Sequence, residues 1–252
     1  MFEPIKELGQ NFLLHKETAF KMVDALELSQ NEVVVEIGPG LGFITELLTK
    51  TLLDKKSMVY AVEIDKRFAG KLSVEFFHSD NVLIVQEDIL KWLPGFNPRQ
   101  ESFKIIGSLP YNIASPILHT LAKLPIRPEI SVFLIQKEVA QKIASKAPDS
   151  SFLSSFIQTF FSIENLGNVE KNKFSPIPKI DGAIIRLKKS ACGISFLDVK
   201  KYEGFLHKAY THPRKMLNKA FTKGDVEKIG INSSLRAQNY NSEDWIKFFK
   251  KL

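Results

Sequence analysis

At 252 residues the chain is long enough for one large domain with an appendage or for two small ones, and its 44% hydrophobic content supports a sizeable core. A charged content of 25%, with no low-complexity tract or internal repeat, excludes a largely disordered or fibrous protein. The net charge of +7 is laid down unevenly: from Glu170 onward 18 Lys and Arg stand against 8 Asp and Glu, whereas residues 1–169 carry 17 against 20, so a polyanionic partner is expected at the far end.

The opening MFEPIKELGQNFLL contains acidic residues and lacks a basic region followed by an apolar run. No later segment approaches the roughly 18 apolar residues of a membrane helix, so a cytoplasmic protein without a membrane partner is expected. Residues 9–14, GQNFLL, come too early for the main sheet. They read either as a lead-in loop whose Phe12 and Leu13 cap the core, or as a segment that brings Asn11 to a ligand. A helical pattern follows at 19–26.

Residues 33–45, VVVEIGPGLGFIT, read as strand, tight turn and helix. A glycine-rich turn between a buried strand and a helix lets a ligand approach the backbone where no Cβ intervenes, as nucleotides do. The dinucleotide fingerprint G-x-G-x-x-G needs a small residue at position 43, where Phe43 stands, so NAD is disfavoured. The second strand, 58–64, carries Glu63 near its end, about 20 positions past the turn, where a carboxylate is placed to accept from both hydroxyls of a ribose. A third strand, 81–86, runs into Glu87 and Asp88, and Asp88 is placed beside the same cleft, within reach of an adenine amine. A fourth strand, 103–107, leads directly into Ser108, Leu109, Pro110 and Tyr111.

A fifth strand ends at 134–136, and a helix is expected over 138–144. Residues 152–161, FLSSFIQTFF, are apolar and aromatic and are read as core. The stretch 174–178 is stiffened by two prolines and 183–187 is a short strand, so the two are expected to form the last hairpin of the sheet. Beyond residue 188 the pattern turns helical, with candidates at 202–209, 214–221 and 244–249, which divides the chain into a domain at 1–190 and a small helical domain at 191–252. Cys192 is the single cysteine, and the five histidines fall singly without ligand spacing, so no metal is expected.

The G-x-G-x-G turn preceded by Glu36 resembles the first motif of methyltransferases that use S-adenosylmethionine. With GQNFL at 9–13, VEID at 62–65, ED at 87–88, LPYNIASPIL at 109–118, QKEVA at 136–140 and FSPIPKIDGAIIRL at 174–187, the chain resembles the ribosomal RNA adenine dimethyltransferases of the KsgA type over most of its length. The resemblance implies an α/β fold, a Rossmann-like S-adenosylmethionine-dependent methyltransferase domain with a small C-terminal all-helical domain. It implies that Asn11, Leu13, Gly38, Gly40, Glu63, Asp88 and Ser108 bind the cofactor. Ser108, Leu109, Pro110, Tyr111 and Phe174 would then hold and activate an adenine amine, with Tyr111 stacking on the base and Phe174 lining its pocket. Residues 209–221 resemble the family's basic F-x-x-R-R-K-x-L segment, with Pro213 where an Arg is expected; Lys208, Arg214, Lys215 and Lys219 are the RNA-contact candidates. The implied partner is small-subunit ribosomal RNA or a pre-30S particle, met by a monomer. Ser108 departs from the Asn of the KsgA pattern. The alternatives are an Erm-type enzyme acting on large-subunit RNA and a non-catalytic RNA-binding factor that retains the fold.

Overall fold

The computed structural model describes residues 3, 5, 8–52, 56–98, 102–110 and 113–252. A seven-stranded sheet organises it: β2 (Val33–Ile37), β3 (Met58–Glu63), β4 (Val82–Gln86), β5 (Lys104–Ser108), β6 (Ile130–Gln136), β7 (Phe161–Val169) and β9 (Gly182–Lys189). Their spatial order is β4-β3-β2-β5-β6-β9-β7, parallel from β4 through β6, with β9 antiparallel to both of its neighbours. The chain order reverses direction between β2 and β5, and in such open sheets the crevice for a ligand lies at the carboxyl ends of those strands. A second ladder stands apart, joining β1 (Phe12–Leu13) to β8 (Phe174–Ser175).

All five residues of β2 are buried, which is why VVVEI shows no alternation: a central parallel strand is covered on both faces. Val34 faces a layer built from Ala19, Met22 and Val23 of α1 (Lys16–Asp24) and Ile44 and Leu48 of α2 (Phe43–Thr51). Val33, Val35 and Ile37 face a larger cluster that takes in α5 (Ala114–Lys123), α6 (Lys137–Ala144) and α7 (Phe152–Phe160). The helix α3 (Lys66–Glu75) and the short α4 (Ile89–Trp92) follow β3 and β4.

The C-terminal helices α8 (Val199–Tyr210), α9 (Lys223–Ile229) and α10 (Ser242–Phe249) extend that larger cluster without a break, through Tyr202, Leu206, Ile229 and Trp245. The Thr159 hydroxyl donates to the Ser155 carbonyl at 2.8 Å, so the Tyr202 hydroxyl, 2.8 Å away, donates to Thr159. Burial raises the Tyr202 pKa above its ordinary value and keeps the phenol a donor. His119 and Lys123 of α5 each reach Glu203 of α8 at 2.7 Å. Burial, with Lys123 close by, lowers the His119 pKa, so the histidine meets Glu203 as a neutral imidazole near pH 7.

Three expectations from the sequence are corrected. The last hairpin of the sheet is β7 with β9, whereas Phe174 leaves the sheet to pair with β1. β7 escapes the sequence pattern because it is an edge strand whose SIEN stretch is largely solvent-facing, with a register shift between Asn165 and Gly167. The expected helix at 214–221 is absent; a 3-10 turn, Leu217–Lys219, is all that forms. The N–H groups of Leu217 and Asn218 bond instead to the carbonyls of Leu235 and Ser233, and Met216 is extended, so the i to i−4 ladder does not run through the segment and only the Phe221 N–H closes such a bond, to the Leu217 carbonyl. The helix α9 is present where none was expected, since seven residues with two strong apolar positions carry almost no periodic signal.

Candidate active site

The turn after β2 is fixed by the next strand. Gly38 donates its N–H to the Val62 carbonyl at 2.9 Å, and Gly40 donates to Glu63 Oε2 at 3.0 Å. Both glycines sit at positive φ, 64° and 54°. At Gly40 a Cβ would also come within 3.0 Å of the Phe12 ring, so the position is closed to side chains on two grounds. Glu63, 4% exposed, accepts from the Asp65 N–H at 2.9 Å through its other oxygen. A carboxylate has about four acceptor sites, so Glu63 keeps capacity for a further donor.

A lead-in strap lies over this turn. Gln10 donates to Asp65 Oδ2 at 3.0 Å, Asn11 donates its Nδ2 to the Gly9 carbonyl at 3.0 Å, and Phe12 packs on Phe68 with ring centroids 5.1 Å apart. The β1–β8 ladder sets Leu13 opposite Phe174, and the Leu14 N–H bonds to the Lys173 carbonyl at 2.9 Å. Leu13 is buried in the core, and Asn11 lines the cleft.

On the other side of the switch point, Gly107 lets β5 pass close to β2, since a Cβ there would fall 2.8 Å from the Ile37 carbonyl oxygen. Ser108 ends the strand opposite Leu134, and the Leu109 N–H bonds to the Leu134 carbonyl at 2.9 Å. Tyr111 lies outside the described residues. Every other predicted cofactor and catalytic position, namely Asn11, Leu13, Gly38, Gly40, Glu63, Asp88, Ser108, Leu109, Pro110 and Phe174, lines one cleft of about 310 Å³. Asp88 also caps α4, accepting from the Leu90 N–H at 2.9 Å.

The cleft is acidic. Glu36, Glu63, Glu87 and Asp88 line it, and none of its described lining residues is basic. Glu36, 1% exposed, accepts from the Thr45 hydroxyl at 2.7 Å, and burial pushes its pKa up to about 8, so it is protonated at neutral pH. Burial raises the Glu63 pKa as well, opposed by the backbone N–H groups of Asp65 and Gly40. Asp65 behaves oppositely: hydrogen bonding to the Arg67 guanidinium holds its pKa at about 2. A cradle open at its glycines, a carboxylate with capacity for a further donor at the second strand end and a lining without cations together fit a nucleoside that carries a positive charge.

Comparison with known proteins agrees. The chain matches the family described as ribosomal RNA adenine dimethylase over residues 1–252. It belongs to that family. It is 38% identical to "Ribosomal RNA small subunit methyltransferase A" of Sulfurihydrogenibium sp. (strain YO3AOP1), covering 98% of this chain and 95% of the relative. It is 35% identical to the protein of the same name from Persephonella marina, covering 99% and 94%. Among solved structures it is similar to the 23S rRNA methyltransferase ErmE, with a TM-score of 0.74 and 25% identity over 96% of this chain and 99% of that one. A dimethyladenosine transferase from Plasmodium falciparum shares the fold, with a TM-score of 0.79 and 21% identity over 95% and 98% of the two chains. The chain is thus an S-adenosylmethionine-dependent ribosomal RNA adenine dimethyltransferase of Rossmann-like fold. The residues of the cleft fit the cofactor's charge and its ribose.

The basic candidates of this dimethylase divide into two groups. Arg214, Lys215 and Lys219 are exposed and enter no ion pair among the described residues. Lys208 is already engaged, 2.9 Å from Asp225 and 4.9 Å over the Phe221 ring. β7 begins beside the start of β6, across β9, so α7, which runs into β7, begins toward the carboxyl ends of the strands. The Tyr210 hydroxyl, at the end of α8, lies 2.8 Å from Ser155 Oγ and 3.1 Å from Ser150 Oγ at that beginning.

Sequence reasoning missed Gln10, Phe12 and Ile64 as cleft residues. Ile64 is 50% exposed and stands between Glu63 and Asp65; an apolar residue in an acidic strand end was the available signal. Gln10 and Phe12 stand inside the family-like GQNFL, but no local pattern ties them to the cleft, because their contacts are with Asp65, Phe68 and Gly40 far along the chain.

Proposed function

We propose that this dimethylase transfers methyl groups to the exocyclic amines of two adjacent adenosines in a loop near the 3′ end of small-subunit ribosomal RNA. The supporting observation is the single cleft in which the strand end Ser108–Leu109–Pro110 and the Phe174 side chain meet the glycine turn and Glu63. The choice of subunit is supported by full-length relatives at 38% and 35% identity whose names specify the small subunit, against 25% for ErmE. We place the catalytic unit at residues 1–190 and an RNA-contacting helical unit at 191–252, acting as a cytoplasmic monomer on the RNA or a pre-30S particle.

When bound, the cofactor supplies an electrophilic methyl group on a sulfonium centre. The chain's own task is to bind, orient and activate the amine. An adenine amine is a weak nucleophile because its lone pair is delocalised into the ring. Acceptors aimed at its N–H groups, the Ser108 hydroxyl and the Leu109 carbonyl, favour a pyramidal nitrogen and stabilise the positive charge that develops on it. Tyr111, in the same motif as Ser108 and Leu109, replaces the stacking lost when the base leaves its neighbours and fixes the line of attack, with Phe174 lining the pocket. Glu63 accepts from the cofactor ribose, and Asp88 from its adenine amine.

The test is to incubate the protein and S-adenosylmethionine with unmethylated small and large subunits and to map the methylated adenosines. Dimethylation confined to adjacent adenosines near the 3′ end of the small-subunit RNA is expected. Modification of the large subunit, or RNA binding without methylation, would overturn the proposal in favour of the Erm-type or the non-catalytic reading.

A further inference from the structure

The loop that follows Phe174 leaves the protein surface beside the cleft. Ser175, Pro176 and Ile177 are exposed before Pro178 is buried again, and Ile177 is 65% exposed. The loop is nevertheless held in place. β8 pairs with β1, the Lys171 N–H bonds to Asp181 Oδ1 at 3.0 Å, and the Lys173 N–H bonds to the Glu170 carbonyl at 3.1 Å. Two prolines fix φ on either side of Ile177. A large apolar side chain is thus presented to solvent on a stiff mount, and the entropy of ordering it is already spent.

The charges around it are also distinctive. Lys171 and Lys179 are exposed and form no ion pair among the described residues, although Glu170 and Asp181 lie in the same segment. Those two carboxylates are otherwise engaged: Asp181 with the Lys171 backbone, and Glu170 with the Asn172 side chain at 3.2 Å. An apolar tip flanked along the chain by two unpaired lysines, three residues after Phe174 of the cleft lining, matches a nucleotide strand. When one base is extruded, the face of its neighbour loses its stacking partner, and apolar wedges, isoleucine among them, fill such gaps in nucleic acids.

We propose that Ile177 packs against the exposed face of the nucleotide adjoining the target adenosine, while Lys171 and Lys179 contact the phosphates that flank it. Ile177 is a positioning residue: it holds the strand so that the target base stays in the pocket lined by Phe174. This inference rests on the RNA-methylating role proposed above.

The experiment uses the full chain with unmethylated small subunits. Ile177→Ala should raise KM for the subunit about tenfold, with kcat reduced less than KM is raised. Ile177→Phe should restore KM to the wild-type value or below, and affinity for S-adenosylmethionine, measured by calorimetry, should be unchanged in both. The double variant Lys171→Ala, Lys179→Ala should lower the slope of log affinity against log salt by about 1.4, at roughly 0.7 per phosphate on single strands. A wild-type KM in Ile177→Ala, or an unchanged salt slope in the double variant, would overturn the proposal. So would a parallel loss of cofactor affinity, which would assign the loop to the shape of the cleft. If wild-type protein fails to methylate small subunits, it is the functional reading that falls.

Discussion

Glu36 and Glu63 lie one strand apart in the same cleft, and their donors set them apart. Glu63 accepts from the backbone N–H groups of Gly40 and Asp65 on two different segments, whereas Glu36 accepts from Thr45, its hydroxyl at 2.7 Å. With a folded-state pKa of about 8 against an ordinary 4.5, Glu36 keeps a proton that the unfolded chain releases. Its contribution to stability is therefore fully present below pH 4.5 and is lost as pH rises to about 8, at up to about 1.4 kcal/mol per pH unit. Glu36→Gln keeps the bond from Thr45 and removes the titration, so its melting temperature should fall less between pH 5 and pH 8 than that of the wild type. Parallel profiles of the two proteins would show that Glu36 is ionised in the folded state. Ser108 is a residue-scale case for rate rather than stability. On the proposed mechanism its hydroxyl acts chiefly as charge develops on nitrogen, while the Leu109 carbonyl survives any side-chain change. Ser108→Ala should accordingly lower kcat roughly ten- to a thousandfold and leave cofactor affinity nearly unchanged. A wild-type single-turnover rate would reduce Ser108 to a structural end of β5.

At the scale of elements, the glycine turn and the strap over it act as one unit. Gly40→Ala places a methyl group 3.0 Å from the Phe12 ring and forces a side chain into φ 54°. The backbone part alone costs about 1 to 2 kcal/mol. The steric part falls on Phe12, which cannot move freely, because it packs on Phe68 and belongs to the β1–β8 ladder. Removing the ring with Phe12→Ala should therefore relieve part of the Gly40→Ala defect in cofactor binding, and the double-mutant cycle should show coupling. Strictly additive losses would mean that strap and turn are independent. These elements also show what the sequence can disclose. The turn was legible because strand, glycines and helix are contiguous, and Glu63 and Asp88 were legible because strand ends sit at predictable spacing after it. The strap's pairing with Phe174 was not legible, since two residues of ladder joined across 160 positions leave no periodicity. β7 was hidden by its polar edge. The expected helix at 214–221 failed because N–H groups that periodicity assigns to a helix were taken by a neighbouring segment.

Across the whole molecule, charge is sorted by task. The cleft is lined by carboxylates suited to a cationic cofactor, yet the substrate is a polyanion, so attraction for the RNA must come from outside the cleft. On the proposed division of the chain it comes from the C-terminal part, where 18 basic residues stand against 8 acidic ones from Glu170 onward. α8 ends at Tyr210 beside Ser155 of α7, and the basic segment begins there. Within that segment the basic residues are not equivalent. Arg214 and Lys215 are exposed and unpaired among the described residues, whereas Lys208 is held by Asp225 and Phe221. Replacing Arg214 and Lys215 together by Ala should weaken RNA binding and reduce the salt slope by about 1.4, without altering affinity for S-adenosylmethionine. Lys208→Ala should instead lower the melting temperature, because it strips an ion pair and a ring contact from the packing of α8 against α9, and it should leave the salt slope almost unchanged. Measuring RNA affinity between low and moderate salt for the three proteins separates the roles. An unchanged slope in the double variant would reduce this segment to solvated surface, and an equal drop in Lys208→Ala would show that its bond to Asp225 opens to admit a phosphate.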